Sequence, residues 1–199
     1  MRSFECILAK RAVLTLWLGF GLLHTAKATP EAVVAAARSQ VGVTTHYDPA
    51  YVVLAYPGGD VPKDGGVCTD VVIRSLREAI KLDLQVAVHE DMKAHFGVYP
   101  KEWGLSRPDK NIDHRRVPNL RTYFSRHALQ LSASKEPAGY APGDIVTCLL
   151  PGNLPHIMIV SDRKGEAGIP LVIHNIGRGA QEEDSLFVYP LTGHYRLKP

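Results

Sequence analysis

GGVCTDVVIRSLREAI, residues 65–80, decides how the rest of the chain is read. Two glycines precede a cysteine. From there apolar residues fall at Val72, Leu76, Ala79 and Ile80, one face of a 3.6-residue period. Arg74, Arg77, Glu78 and Lys81 take the other side. The spacing predicts a helix that starts at Cys68 and ends near Leu84. A helix N-terminus presents unpaired N–H groups and the positive end of its dipole, which favour a thiolate and can bind an oxyanion. Gly65 and Gly66 carry no side chain to block a substrate backbone. Cys68 is therefore a candidate nucleophile. The competing reading is a buried or disulfide-bonded cysteine.

Upstream, residues 1–28 read as an export signal. Arg2, Lys10 and Arg11 make a basic start, an apolar run covers Ala12 to Leu23, and Ala26-Lys27-Ala28 has the small-x-small pattern of a cleavage point. A spanning helix needs about 20 apolar residues, so no stable membrane anchor is expected after cleavage. Four of the 23 basic and one of the 20 acidic residues lie in this segment, leaving 19 of each. A neutral mature chain gives no electrostatic reason to bind nucleic acid. Cleavage also removes Cys6, leaving Cys68 and Cys148, and in an oxidising compartment those two raise the possibility of one disulfide. The expected location is periplasmic or secreted.

The mature chain, 29–199, reads as a single domain. Thr29 and Pro30 suit a cap and a first helical position, predicting a helix that ends at Gly42. Residues 44–66 are rich in Tyr, Pro and Gly and read as irregular structure. A second helical piece is expected over Val88–Phe96, a loop or insertion over 97–119, and helical or mixed structure over Leu120–Leu131. Strands are expected at Ile145–Leu150, Ile157–Val160, Leu171–Ile176 and Leu186–Tyr189. Helices first and short strands later argue for an α+β fold with an antiparallel sheet.

A cysteine nucleophile needs a base. His156 opens the strand PHIMIV and His174 lies on the next, in VIHNIG. Adjacent antiparallel strands bring such residues side by side, one to take the thiol proton and the other to orient it. Asn175 is a rival orienter, because strand alternation lets only one of His174 and Asn175 face a cleft. Arg115 and Arg116 are candidates either to hold a substrate carboxylate or to make surface salt bridges. His89-Glu90 begins like a zinc-protease HExxH helix, but Lys93 stands where the second histidine belongs. No metal or other cofactor is expected.

YPGGDVPKDGGVCTDVV (56–72) resembles the tyrosine–GG–proline–cysteine segment of the NlpC/P60 cell-wall cysteine peptidases, and PGDIVTCLL, PHIMIVSD and VIHN resemble the strands that follow it. More narrowly, residues 40–199 resemble DUF1287, a bacterial family grouped with NlpC/P60. The resemblance implies a papain-like fold and a catalytic set of Cys68, His156 and His174. It implies oxyanion or substrate contact from Tyr56. It also implies a peptidoglycan stem peptide or other peptide as substrate, cut at an amide bond through a thioester. Val67 and Thr69-Asp70 depart from the family's Asp-Cys-Ser-Gly; Asp70, which with Asn175 and Arg115 is a further candidate for substrate or oxyanion contact, sets a negative charge in the first helical turn. Two further readings remain: a non-catalytic cell-wall-binding module on the same fold, and a secreted amidase acting on a protein.

Overall fold

The computed structural model describes residues 29–198; the export segment expected over 1–28, with Cys6, lies outside the described residues. The architecture is α+β, with helices packed against an antiparallel sheet. Helix α1, Pro30–Arg38, starts where expected: the Thr29 hydroxyl accepts the Ala32 N–H at 3.2 Å. Helix α2 spans Cys68–Ile80 and stops short of Leu84, because Lys81 turns into the left-handed region at φ 59°. Asp83 then caps α3, Leu84–His95, by accepting the Gln85 N–H at 3.1 Å. That cap is why α3 begins before Val88. Helix α4, Val117–His127, also begins earlier than Leu120, since Pro118 fits a first helical turn. The segment before it is not plain loop, having 3-10 turns at Phe96–Val98 and Asp113–Arg115.

The strands are β1 (Leu129–Leu131), β2 (Ile145–Leu150), β3 (Leu154–Lys164), β4 (Pro170–Asn175), β5 (Ala180–Glu183) and β6 (Leu191–Arg196). They lie in the order β1-β6-β2-β3-β4-β5, every neighbour antiparallel. The strand expected at Leu186–Tyr189 is a turn instead, in which the Val188 N–H meets the Ser185 carbonyl at 3.3 Å. The apolar character of that run is used by Leu186, fully buried from the turn. The polar AQEE of β5 pairs with β4 as an edge strand, which no apolar period announces.

Alternation gives the sheet two faces. Ile145, Ile157, Ile159 and Ile173 pack with α1, α2, α3 and α4 in one core. Val146, Cys148, Met158, Val160 and Val172 pack on the other face with Tyr140 and Leu186. Helix α2 lies against β3 and β4, which sets the N-terminal end of the helix, with Cys68, against the central strands.

Candidate active site

The start of α2 is held from several directions. Asp70 Oδ2 accepts the Val67 N–H at 2.7 Å. Arg115 donates to Asp70 through Nε and Nη2, both at 2.9 Å, and reaches the carbonyls of Ala50 and Asp48. The side chains of this ion pair are 2% and 4% exposed. Every guanidinium nitrogen of Arg115 is engaged, so neither it nor Asp70 takes the substrate or oxyanion role expected for them. They tie α2 to the segments on either side of the cavity below. The charge of Asp70 in the first turn is paired with Arg115 but still raises the nearby Cys68 thiol.

Asn175 also has a structural post. Its Nδ2 donates to the Gly66 carbonyl at 2.9 Å and the His46 carbonyl at 3.1 Å, and its Oδ1 accepts the N–H groups of Gly177 and Gly179. It brackets the loop before Cys68 and does not orient an imidazole. The two glycines serve packing rather than substrate entry. A Cβ on Gly65 would stand 2.5 Å from the His46 ring, and one on Gly66, at φ 144°, 2.9 Å from Asp70 Oδ2.

Cys68 lines a cavity of about 320 Å³ with Tyr47, Trp103, Arg116, Pro118 and Pro155 among its walls. Arg116 stacks on the Trp103 ring at 4.0 Å and pairs with Asp113 at 3.0 Å, so part of the 97–119 segment forms the cavity wall. Burial pushes the Cys68 thiol up to about 12, while the Ile157 and Thr69 backbone N–H groups at the sulfur pull the other way. Tyr47 lies against the sulfur, and its phenol is raised to about 12, first by burial and then by Cys68 and Asp70. Tyr56 is elsewhere: its hydroxyl donates to Glu90 at 3.2 Å and its ring meets His89 edge-on. The tyrosine beside the sulfur is therefore Tyr47, in THYDP, whose only sequence signal is an aromatic in an irregular segment. Cys68 and Cys148 are both free thiols, so the possible disulfide is not formed.

The two histidines do come together. His156 Nε2 and His174 Nδ1 are 2.7 Å apart. His174 Nε2 lies 3.2 Å from Glu183 Oε2 and 3.4 Å from Ser185 Oγ, and Arg178 donates to the other Glu183 oxygen. Glu183 and Ser185 were not legible as partners, because β5 was not legible as a strand. Burial lowers His156 to about 3, with His174 adding to the shift; His174 is lowered by burial against the opposing pull of Glu183. Cys68 and His156 thus rest as neutral thiol and neutral imidazole.

Their relation is set by β3. Pro155 and Ile157 face α2, whereas alternation turns His156 and His174 to the face of Met158 and Val172. The β3–β4 ladder runs through Ile159↔Ile173 and stops there. Beyond it the Ile157 N–H turns to the Cys68 sulfur. The sulfur therefore sits at the open end of the ladder on the helical side of β3, across the strand from the histidine pair. Among the described residues no hydrogen bond joins the sulfur to either ring, and none is made at His156 Nδ1.

The family described as "Domain of unknown function (DUF1287)" matches residues 34–197. The chain is similar to the uncharacterized protein YijF of Escherichia coli K12, with 59% identity over 165 residues, 83% of this chain and 80% of that one. Among solved structures it is similar to NlpC1 of Trichomonas vaginalis, at 14% identity and a TM-score of 0.45. That match covers 84% of this chain and 43% of that one, so the chain spans less than half of that protein's length.

Proposed function

We propose that this chain, which belongs to the DUF1287 family, is an exported cysteine hydrolase that cuts amide bonds in peptidoglycan stem peptides. The observation that carries the reading is the His156–His174 bond of 2.7 Å on β3 and β4, with the helix-start Cys68 across the same strands in a cavity of about 320 Å³. In the mechanism, Cys68 Sγ attacks the amide carbon as its proton passes to His156 Nδ1. Burial holds the thiol high and the imidazole low at rest, so this transfer runs uphill and proceeds only in concert with attack on bound substrate. His174 holds the His156 ring while the charge forms on it. N–H groups at the start of α2, with the Tyr47 hydroxyl, stabilise the oxyanion. His156 returns the proton to the leaving amine, and water then resolves the thioester. The reading requires that the His156 ring reach the sulfur at the open end of the β3–β4 ladder when substrate fills the cavity.

One observation favours a second reading, a non-catalytic cell-wall-binding module: the thiol rests buried at about 12 and makes no bond to an imidazole. Digestion of purified sacculi, with products identified by mass, separates the two. Wild type should release muropeptides cut at one amide bond, and Cys68→Ala should release none while keeping its circular dichroism spectrum. Equal release by Cys68→Ala sinks the mechanism. Sedimentation with sacculi but no cleavage by wild type establishes the binder. Neither binding nor cleavage turns attention to a protein amide as substrate.

A further inference from the structure

The described residues offer one polar chain that the reading above uses only in part: it runs from the buried His156 and His174 through the partly buried Glu183 to the exposed Arg178. We propose that Glu183 is a positioning residue whose carboxylate fixes which nitrogen of His156 carries the proton. The inference rests on His156 being the base of the proposed hydrolase, but its geometric content stands apart from catalysis.

The assignment runs inward from the edge strand. An ionised carboxylate only accepts hydrogen bonds. His174 Nε2, 3.2 Å from Glu183 Oε2, must therefore carry its hydrogen. Ser185 Oγ, at 3.4 Å from the same nitrogen, can accept a share of it. A neutral imidazole has one N–H, so His174 Nδ1 is left as a lone pair. His156 Nε2 stands 2.7 Å from that lone pair and must donate to it. This leaves His156 Nδ1 as the lone pair, the atom required to receive the thiol proton. Arg178, a surface side chain, donates to the far oxygen of Glu183 and leaves Oε2 to face His174.

Burial favours the neutral form of both rings, which is the condition the assignment needs. No proton need reach Glu183 during turnover. When His156 Nδ1 is protonated, Nε2–H stays on its ring and the bond to His174 strengthens with the new charge. With an amide in place of the carboxylate, His174 Nε2 can face a donor instead. Its proton can then sit on Nδ1, and His156 can be left holding its own proton on Nδ1, the wrong place for a base. The effect is on the tautomer, not on the position of the ring.

The test is ring 15N spectroscopy of the full chain labelled at histidine, at pH 7, with two-bond correlations to the ring carbons' protons. Wild type should show both His156 and His174 as single Nε2–H tautomers. Glu183→Gln and Glu183→Ala should show mixed tautomers at both rings, and the milder Gln variant covers a failure of Ala to fold. Finding either ring as Nδ1–H in wild type, or the wild-type pattern in both variants, overturns the proposal. On sacculi, Glu183→Gln should lose up to about 100-fold in kcat, the lower end of what a general base contributes, with KM within about twofold. Inert sacculi with wild type would sink the peptidoglycan hydrolase reading and leave the ring spectra to decide Glu183.

Discussion

His156 on β3 and His194 on β6 lie in the same sheet, at 2% and 1% exposure, in similar-looking surroundings. Their bonding differs. His194 gives both nitrogens to the protein: Nε2 is 2.7 Å from Asp144 Oδ2, and Nδ1 is 3.1 Å from the Ser132 carbonyl. Its ring stacks on Tyr140 with centroids 4.2 Å apart, and Arg196 clamps the same carboxylate twice at 2.7 Å. His156 gives one nitrogen to His174 and makes no hydrogen bond at the other among the described residues. His194, with both nitrogens bonded to other parts of the fold, holds the sheet together. A histidine with a free lone pair can still accept a proton. Burial is common to both, so burial alone does not tell a structural histidine from a working one.

The largest effect should separate the two by activity. His156→Ala should cut sacculus turnover per folded molecule by about 10³-fold, within the usual contribution of a general base. An unchanged rate breaks the comparison at its working end. The next effect separates them by stability. His194→Ala leaves a buried carboxylate with Arg196 but without its imidazole, and should lower the unfolding free energy by about 2–4 kcal/mol in urea melts. Turnover per folded molecule should stay the same. If His194→Ala is as stable as wild type, the structural half of the comparison fails.

The smallest effect sharpens the contrast through pH. His156 sits near 3 when folded and about 6.5 when unfolded, so the unfolded chain binds the extra proton in between. Stability therefore falls as pH drops from about 6.5 toward 3. His114, lowered to about 4 by burial, and His174 act in the same direction. Asp91 and Asp144, both held below the usual carboxylate range, add their share only at more acid pH. Between pH 7 and pH 5 the loss of unfolding free energy should be smaller in His156→Gln than in wild type by up to about 2 kcal/mol. Identical losses would mean that His156 is not buried neutral. At the alkaline end the sign reverses: the raised Cys68 thiol costs stability above about pH 9, when the unfolded chain gives up its proton first.

Much of the fold was legible in short stretches. The apolar period after Cys68, the cap at Thr29 and the runs IVTCLL and PLVIHN each report on backbone choices made within a few residues. Those choices follow local rules, and the elements form where the rules place them. The failures are equally local in origin. AQEE lacks a period, and LFVY has apolar residues that a turn can bury as well as a strand can. The site was legible as residue types and less so as roles. His174 and Asn175 both suit an orienting role by residue type, but nothing near either residue in the sequence says which one faces a carbonyl.

What the sequence determined by itself is therefore the helix that begins at Cys68, the α+β order and the candidate histidines. These depend on side-chain spacing and capping within about one turn or one strand. Only the tertiary structure decided that Asp70 belongs to Arg115, that Asn175 holds the Gly66 carbonyl, that Tyr47 rather than Tyr56 meets the sulfur, and that Glu183 stands behind His174. The Asp70 and Asn175 contacts join residues 45 and 109 positions apart. Which buried polar group meets which is settled when the sheet and α2 close on each other, because each must then find a partner or stay out of water at a cost of about 1–3 kcal/mol.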